Sequence, residues 1–431
     1  MIGHHRNTVD EAALNRCDKG VPGNVTDLAL REVASRNWNV LREDLPLPVA
    51  VLNAEALAHN GQWMRRFLAA NRVQFAPHGK TSMSPALFER QIKDGAWAIT
   101  LATPHQIQIA RHFGYQRIFL ANQLIGRSAI EFVLSELEAD PHFEFYCLVD
   151  SVQGVQQLID ASERLGISRA LSVLVEMGYP GGRTGCRTVT EGLKVARAAA
   201  RGKLRLCGIE GFEGLLRKGS WPETERSVEA FLRTVTELAR ACEKESLFSS
   251  SPILLSAGGS AFFDLVVTAF SQADLHVPSM TLLRSGCYLT HDSLMYTVAF
   301  DQMKRRSPEV AGLGEGLRPV IEVWAYVQSR PEPGLAILGL GKRDISYDEL
   351  PIPLKWFRPG NEQPALVPRE HRITRLNDQH AYLEIPANSP LAVGDMVCFG
   401  ISHPCLTFDK WRVVHLVDNN YTVVESLRTY F

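Results

Sequence analysis

The sequence predicts an α/β fold: a (β/α)8 TIM-type barrel with a second, C-terminal antiparallel β domain. Three observations predict it. Between residues 47 and 312, eight short apolar runs alternate with longer segments of helical period. From residue 313 onward the apolar segments become short, rich in β-branched residues and separated by Gly, Pro and Asn. Residues 1–46 fit neither pattern and read as a helical or irregular extension.

The eight runs are VQFA (73–76), WAITLA (97–102), RIFLA (117–121), FEFYCLVD (143–150), ALSVLVEM (170–177), LRLCGIEG (204–211), ILLSAG (253–258) and MTLLRSG (280–286). Helical segments such as 55–71 and 189–203 lie between them, as crossover connections between parallel strands require. An open doubly wound sheet shares this periodicity and stays a structural rival. In the β domain, VIEVWAYVQSR, LAILGLG, HAYLEIP, DMVCFGI, WRVVHLV and YTVVESL read as strands, and the Pro-rich stretch 347–370 as a long excursion.

Composition narrows the class of function. The chain has 431 residues, a net charge of −1 and 22% charged residues, which speaks against nucleic acid or an anionic membrane as the main partner. The eight cysteines form no CxxC pair, so neither a zinc ribbon nor a thioredoxin-like motif is expected. The N-terminus lacks an apolar signal segment, and no run reaches the ~18 apolar residues of a membrane span. The expectation is a cytoplasmic protein that handles a small molecule.

In a barrel, active-site residues follow the C-terminal ends of the strands, and the unusual residues of this sequence lie there. Lys80 comes four residues after the first strand, in APHGKTS, with His78 beside it. A lysine desolvated in a barrel mouth can lose its proton and act as a nucleophile. SAGGSAFFD (256–264) places Ser256, Gly258, Gly259 and Ser260 between a strand and a helix, where backbone N–H groups and the helix dipole favour an anion. A plain βα turn would also use two glycines. Together, Lys80 and the turn suit pyridoxal phosphate, which needs an amine on one side and a phosphate cradle on the other. Arg183, in GGRTG, is a candidate for the pyridine nitrogen, O3′ or a carboxylate, and Tyr288 for the phosphate or pocket wall.

SHPCLTFD (402–409) is the last motif. The residue before a proline is pushed to the extended region, where positions two apart face the same way, so His403 and Cys405 should converge. Imidazole and thiolate suit zinc, and two ligands leave positions open, as in a catalytic site. His380 is a further polar candidate without a spacing argument.

These residues resemble the D-serine dehydratase and D-threonine aldolase group of fold-type III, alanine-racemase-like enzymes, over roughly residues 46–431. Pro77-His78-Gly79-Lys80-Thr81 looks like the PHxKT segment whose lysine carries the cofactor. Arg183 and Gly185 match the RxG element, Gly258-Gly259-Ser260 the phosphate-binding glycine pair, and His403-Pro404-Cys405 the C-terminal metal pair. The resemblance implies a pyridoxal-phosphate lyase on D-β-hydroxy amino acids, a divalent metal (zinc), and a homodimer. His-x-Cys points to D-serine dehydration giving pyruvate and ammonia; the aldolases usually have Asp as second ligand. Retro-aldol cleavage is the alternative, and a non-catalytic pyridoxal-phosphate carrier a third reading. Ala76, Phe212 and His380 depart from the group's pattern, which puts the substrate pocket in question.

Overall fold

The computed structural model describes residues 12–202 and 204–431. Eight parallel strands form the first unit: β1 (Gln74–Phe75), β2 (Ile99–Leu101), β3 (Arg117–Gln123), β4 (Glu144–Val149), β5 (Ser172–Met177), β6 (Arg205–Gly211), β7 (Ile253–Ala257) and β8 (Ser279–Leu283). Neighbours pair in sequence order from β2 to β8, and β8 pairs with β1. The ring closes between β1 and β2: Trp97 N–H donates to Phe75 O at 2.6 Å and Thr100 N–H to Pro77 O at 2.9 Å. Those two bonds decide for the barrel and against the open sheet.

Local sequence sets the crossovers. The helix Val189–Arg201 opens with a capping box of Thr188 and Glu191, and Trp221–Lys244 with one of Ser220 and Glu223, so their first amides are satisfied by side chains. The expected helix 189–203 ends at Arg201, and Lys203 lies outside the described residues.

Side chains alternate along each strand, and the barrel interior changes character two residues at a time. Ala76, Ala98, Phe119, Leu148, Leu174, Leu254 and Leu282 form an apolar floor. One step of two toward the C-terminal end come His78, Thr100, Asp150, Glu176, Ser256 and Arg284. The barrel is therefore a packed plug with a polar layer facing the mouth.

The second unit is a largely antiparallel sheet containing Ile321–Glu332, Leu335–Leu338, Ile352–Phe357, Arg372–Leu376, Ala381–Glu384, Met396–Gly400, Val413–Val417 and Val423–Arg428. Val49–Asn53, which sequence placed with the barrel, pairs antiparallel with Ile321–Glu332 and parallel with Val413–Val417. The Pro-rich stretch is no excursion either. Its Ile352–Phe357 segment pairs with Met396–Gly400, and Pro353 stands at a register shift, where a missing amide is tolerated. The extension has strand character as well as helical: Ala13–Leu14 pairs with Leu28–Ala29 before a 3-10 helix at Leu30–Arg36, and residues 1–11 lie outside the described residues. Among the described residues no helix is long and apolar enough to cross a membrane.

Candidate active site

Lys80 sits in a one-turn 3-10 helix, Gly79–Thr81, directly after β1. Gly79 is needed there for space, because a Cβ would stand 2.8 Å from the Phe88 ring and 2.9 Å from Ile99. Lys80 is half-buried, and among the described residues no hydrogen bond or ion pair engages its amine. Beside it, burial followed by the Lys80 and Arg284 charges holds the His78 imidazole well below its usual range, so it is neutral. His78 Nδ1 is buried without a partner.

Arg284 organises the polar layer at the end of β8. Its Nε donates to Ser256 Oγ at 2.9 Å, its guanidinium pairs with Glu210, and it lies 5.3 Å from the centroid of the Phe119 ring on the floor. Burial pushes the Glu210 carboxyl up to about 8 against the opposing pull of Arg284, and its Oε2 has no partner. Glu176, also raised by burial, accepts from Thr184 Oγ1 at 2.7 Å and from Gln123. Thr184 belongs to the glycine-rich loop after β5, which Asp150 holds through the Gly185 N–H at 3.0 Å. Arg183, in the same loop, is exposed and lies 5.0 Å from the centroid of the Phe212 ring.

The segment 284–287 joins the lysine turn to the glycine turn. A Cβ on Gly286 would meet Thr81 Oγ1 at 2.5 Å and His78 Cβ at 2.8 Å. On the other side, Ser285 Oγ donates to the Gly258 carbonyl at 2.8 Å and Cys287 N–H to Ser260 Oγ at 3.2 Å.

The β domain supplies the remaining wall. Ser402–Phe408 follows the strand Met396–Gly400, and Cys405 Sγ lies 3.5 Å from Thr81 Oγ1. His403 and Cys405 are in side-chain contact, but not by the extended geometry expected: Pro404 is helical (φ −58°, ψ −48°) and Cys405 opens a short helix to Phe408. The pair meets across a turn. Asp348 Oδ2 stands 2.9 Å from His403 Nδ1, and Ser402 Oγ donates to Asp348 Oδ1 at 2.6 Å. A hydrogen bond from Cys287 leads the influences that lower the Cys405 thiol, with burial opposing and His403 and Thr81 assisting. Among the described residues no group of three or more His, Cys, Asp or Glu side chains is arranged to hold a metal ion.

The other candidate residues have the following surroundings. Tyr288 is 2% exposed and points into the core against Phe75, with ring centroids 5.1 Å apart, away from the mouth. Ser256 Oγ is engaged inside the barrel, donating to Leu282 O at 3.0 Å and accepting from Arg284. The Gly258 and Gly259 amides donate to Glu213 Oε2 and Oε1, at 3.2 and 2.6 Å. His380 is exposed in the turn between Arg372–Leu376 and Ala381–Glu384. Glu210, Glu213 and Arg284 are not singled out by the sequence motifs; Arg284 lies two residues beyond the floor position Leu282 at the end of a strand, which is a usable signal.

A parallel barrel with a strand-one lysine, joined to an antiparallel β domain, is the architecture of fold-type III pyridoxal-phosphate enzymes. The family model described as "Alanine racemase, N-terminal domain" matches residues 52–291, and the chain belongs to that family. A second model, "Putative serine dehydratase domain", matches residues 321–417. No curated protein matches in sequence. Among solved structures, D-threonine aldolase from Filomicrobium marinum superposes with TM-score 0.73 at 21% identity, covering 90% of this chain and 95% of that one. D-threo-3-hydroxyaspartate dehydratase from Delftia sp. HT23 gives 0.72 at 19% identity, covering 91% and 99%; a cysteine variant of that enzyme is described in a metal-free form. SrLDC in complex with PLP and cadaverine gives 0.58 at 17% identity, covering 86% and 88%.

Proposed function

We propose that this chain is a pyridoxal-phosphate-dependent lyase acting on D-configured β-hydroxy amino acids, with loss of ammonia from D-serine to leave pyruvate as its characteristic reaction. The observation that carries the reading is a meeting of two motifs far apart in sequence: Cys405 Sγ is 3.5 Å from Thr81 Oγ1, one residue from Lys80. A nucleophilic amine and a soft metal-binding pair thus border one mouth.

The residues present fit both groups. Among the described residues the Lys80 amine has no hydrogen-bond or ion-pair partner, and His78 Nδ1 and Glu210 Oε2 are buried without one. Pyridoxal phosphate supplies an electrophilic carbonyl and an electron sink when bound. Lys80 would hold it, and the same amine would be available to take the α-proton. The neutral His78 adds no charge beside that amine. Arg183 is placed to take a carboxylate or the cofactor O3′. His403 and Cys405 would hold a divalent metal, zinc by the chemistry of the pair, which would supply a Lewis acid for the β-hydroxyl. Asp348 Oδ2, 2.9 Å from His403 Nδ1, would orient the ring for that role.

Retro-aldol cleavage, which the resemblance to the aldolases implies, is the second reading. Incubation with D-serine, D-threonine and D-3-hydroxyaspartate separates the two. Keto acid plus ammonia supports dehydration; glycine plus an aldehyde supports retro-aldol cleavage; no turnover of any of the three overturns the lyase reading.

A further inference from the structure

An accounting of backbone groups at the glycine turn after β7 gives a different set of anion donors from the one the glycines suggest. Gly258 and Gly259 spend their N–H groups on Glu213, at 3.2 and 2.6 Å, and their carbonyls accept from Ser285 Oγ at 2.8 and 3.3 Å. The Ala261 carbonyl accepts from Arg306 at 3.0 Å, and Arg306 is anchored by Asp264 at 2.7 Å. The amides of Ser260 and Ala261 are left, without a partner among the described residues although Ala261 is buried. The Ser260 hydroxyl is engaged by Cys287, accepting from its N–H at 3.2 Å and meeting its thiol.

Glu213 is not a placeholder that a phosphate would push aside. It is 0% exposed, and its own backbone N–H joins the two glycine amides on the carboxylate. The space behind the turn is filled: a Cβ on Gly259 would stand 3.2 Å from Phe212 and 3.6 Å from Gly214 Cα. A second anion on the same amides would lie against the carboxylate and find no room.

We propose that Glu213 is a positioning residue that pins the glycine turn from behind, so that the Ser260 and Ala261 amides become the donors for the cofactor phosphate. The proposal rests on the pyridoxal-phosphate reading above. Its effect is specific to the phosphate, because the carboxylate touches the turn and not the lysine side of the mouth.

The test is equilibrium titration of the full-length apo-protein with pyridoxal phosphate and with pyridoxal, which lacks the phosphate. Wild type, Glu213→Ala and the isosteric Glu213→Gln are compared. Loss of the clamp in Glu213→Ala weakens pyridoxal phosphate about tenfold or more and leaves pyridoxal within about twofold; Glu213→Gln, keeping one acceptor oxygen, falls between. If Glu213→Ala fails to fold, Glu213→Gln alone carries the comparison. Unchanged pyridoxal-phosphate affinity in the variants overturns the proposal, as does an equal loss for both ligands. A wild type that takes up neither ligand overturns the cofactor reading itself.

Discussion

A primary amine attacks a carbonyl best when no hydrogen bond or ion pair holds it. Among the described residues none engages the amine of Lys80, which is half-buried beside a neutral His78. Substituting Lys80→Ala should abolish turnover, a loss of at least about 10³-fold, and remove the visible absorbance of covalently held cofactor. Residual turnover near wild type would assign the chemistry to another amine. Cys405 has a different role, and Cys405→Ala should keep the cofactor absorbance while D-serine turnover falls. Chelation of the wild type should reproduce that result, with activity returning on zinc addition; full activity after exhaustive chelation contradicts a catalytic metal.

Elements place these residues, and their placement was legible to different degrees. Strand periodicity located the eight barrel strands, and the barrel rule then located Lys80, because both follow from short-range patterns of burial. His403 and Cys405 meet by another geometry than the extended one expected: Pro404 continues into a helical turn, and hydrogen bonds with Ser346 and Asp348 fix the segment. Tyr288 looked like a mouth residue because it follows a strand, yet a strand end does not say on which side a side chain falls. Glu213 was hidden because its partners, the Gly258 and Gly259 amides, are 45 residues or more away in sequence. At this scale Gly79 is the sensitive position. Gly79→Ala forces a Cβ against Phe88 and Ile99, which should cost about 1–3 kcal/mol of stability and weaken cofactor binding together. Calorimetry and cofactor titration of that variant measure both; a variant with unchanged melting temperature and affinity shows that the lysine turn does not depend on the glycine.

The molecule joins two differently built units around one polar layer, and its response to acid should come from the histidines buried in them. In the β domain His415 is fully buried between Ser426 Oγ at 2.6 Å and the Gly20 carbonyl at 3.0 Å, and burial lowers it to about 4. The unfolded chain binds that proton near 6.5, the folded chain near 4. The contribution is therefore complete above about pH 6.5 and lost as pH falls through the window down to about 4, at most about 3 kcal/mol. Denaturant melts at pH 7 and pH 4.5 should show this loss in the wild type and a shallower one in His415→Gln. Parallel slopes for the two proteins would mean that His415 is not the responsible group. The barrel's claim to function is tested most directly by reducing the cofactor-loaded protein with borohydride and mapping its peptides. A pyridoxyl group on the peptide containing Lys80 is the predicted result; a pyridoxyl group on any other lysine, or none at all from a yellow protein, contradicts it.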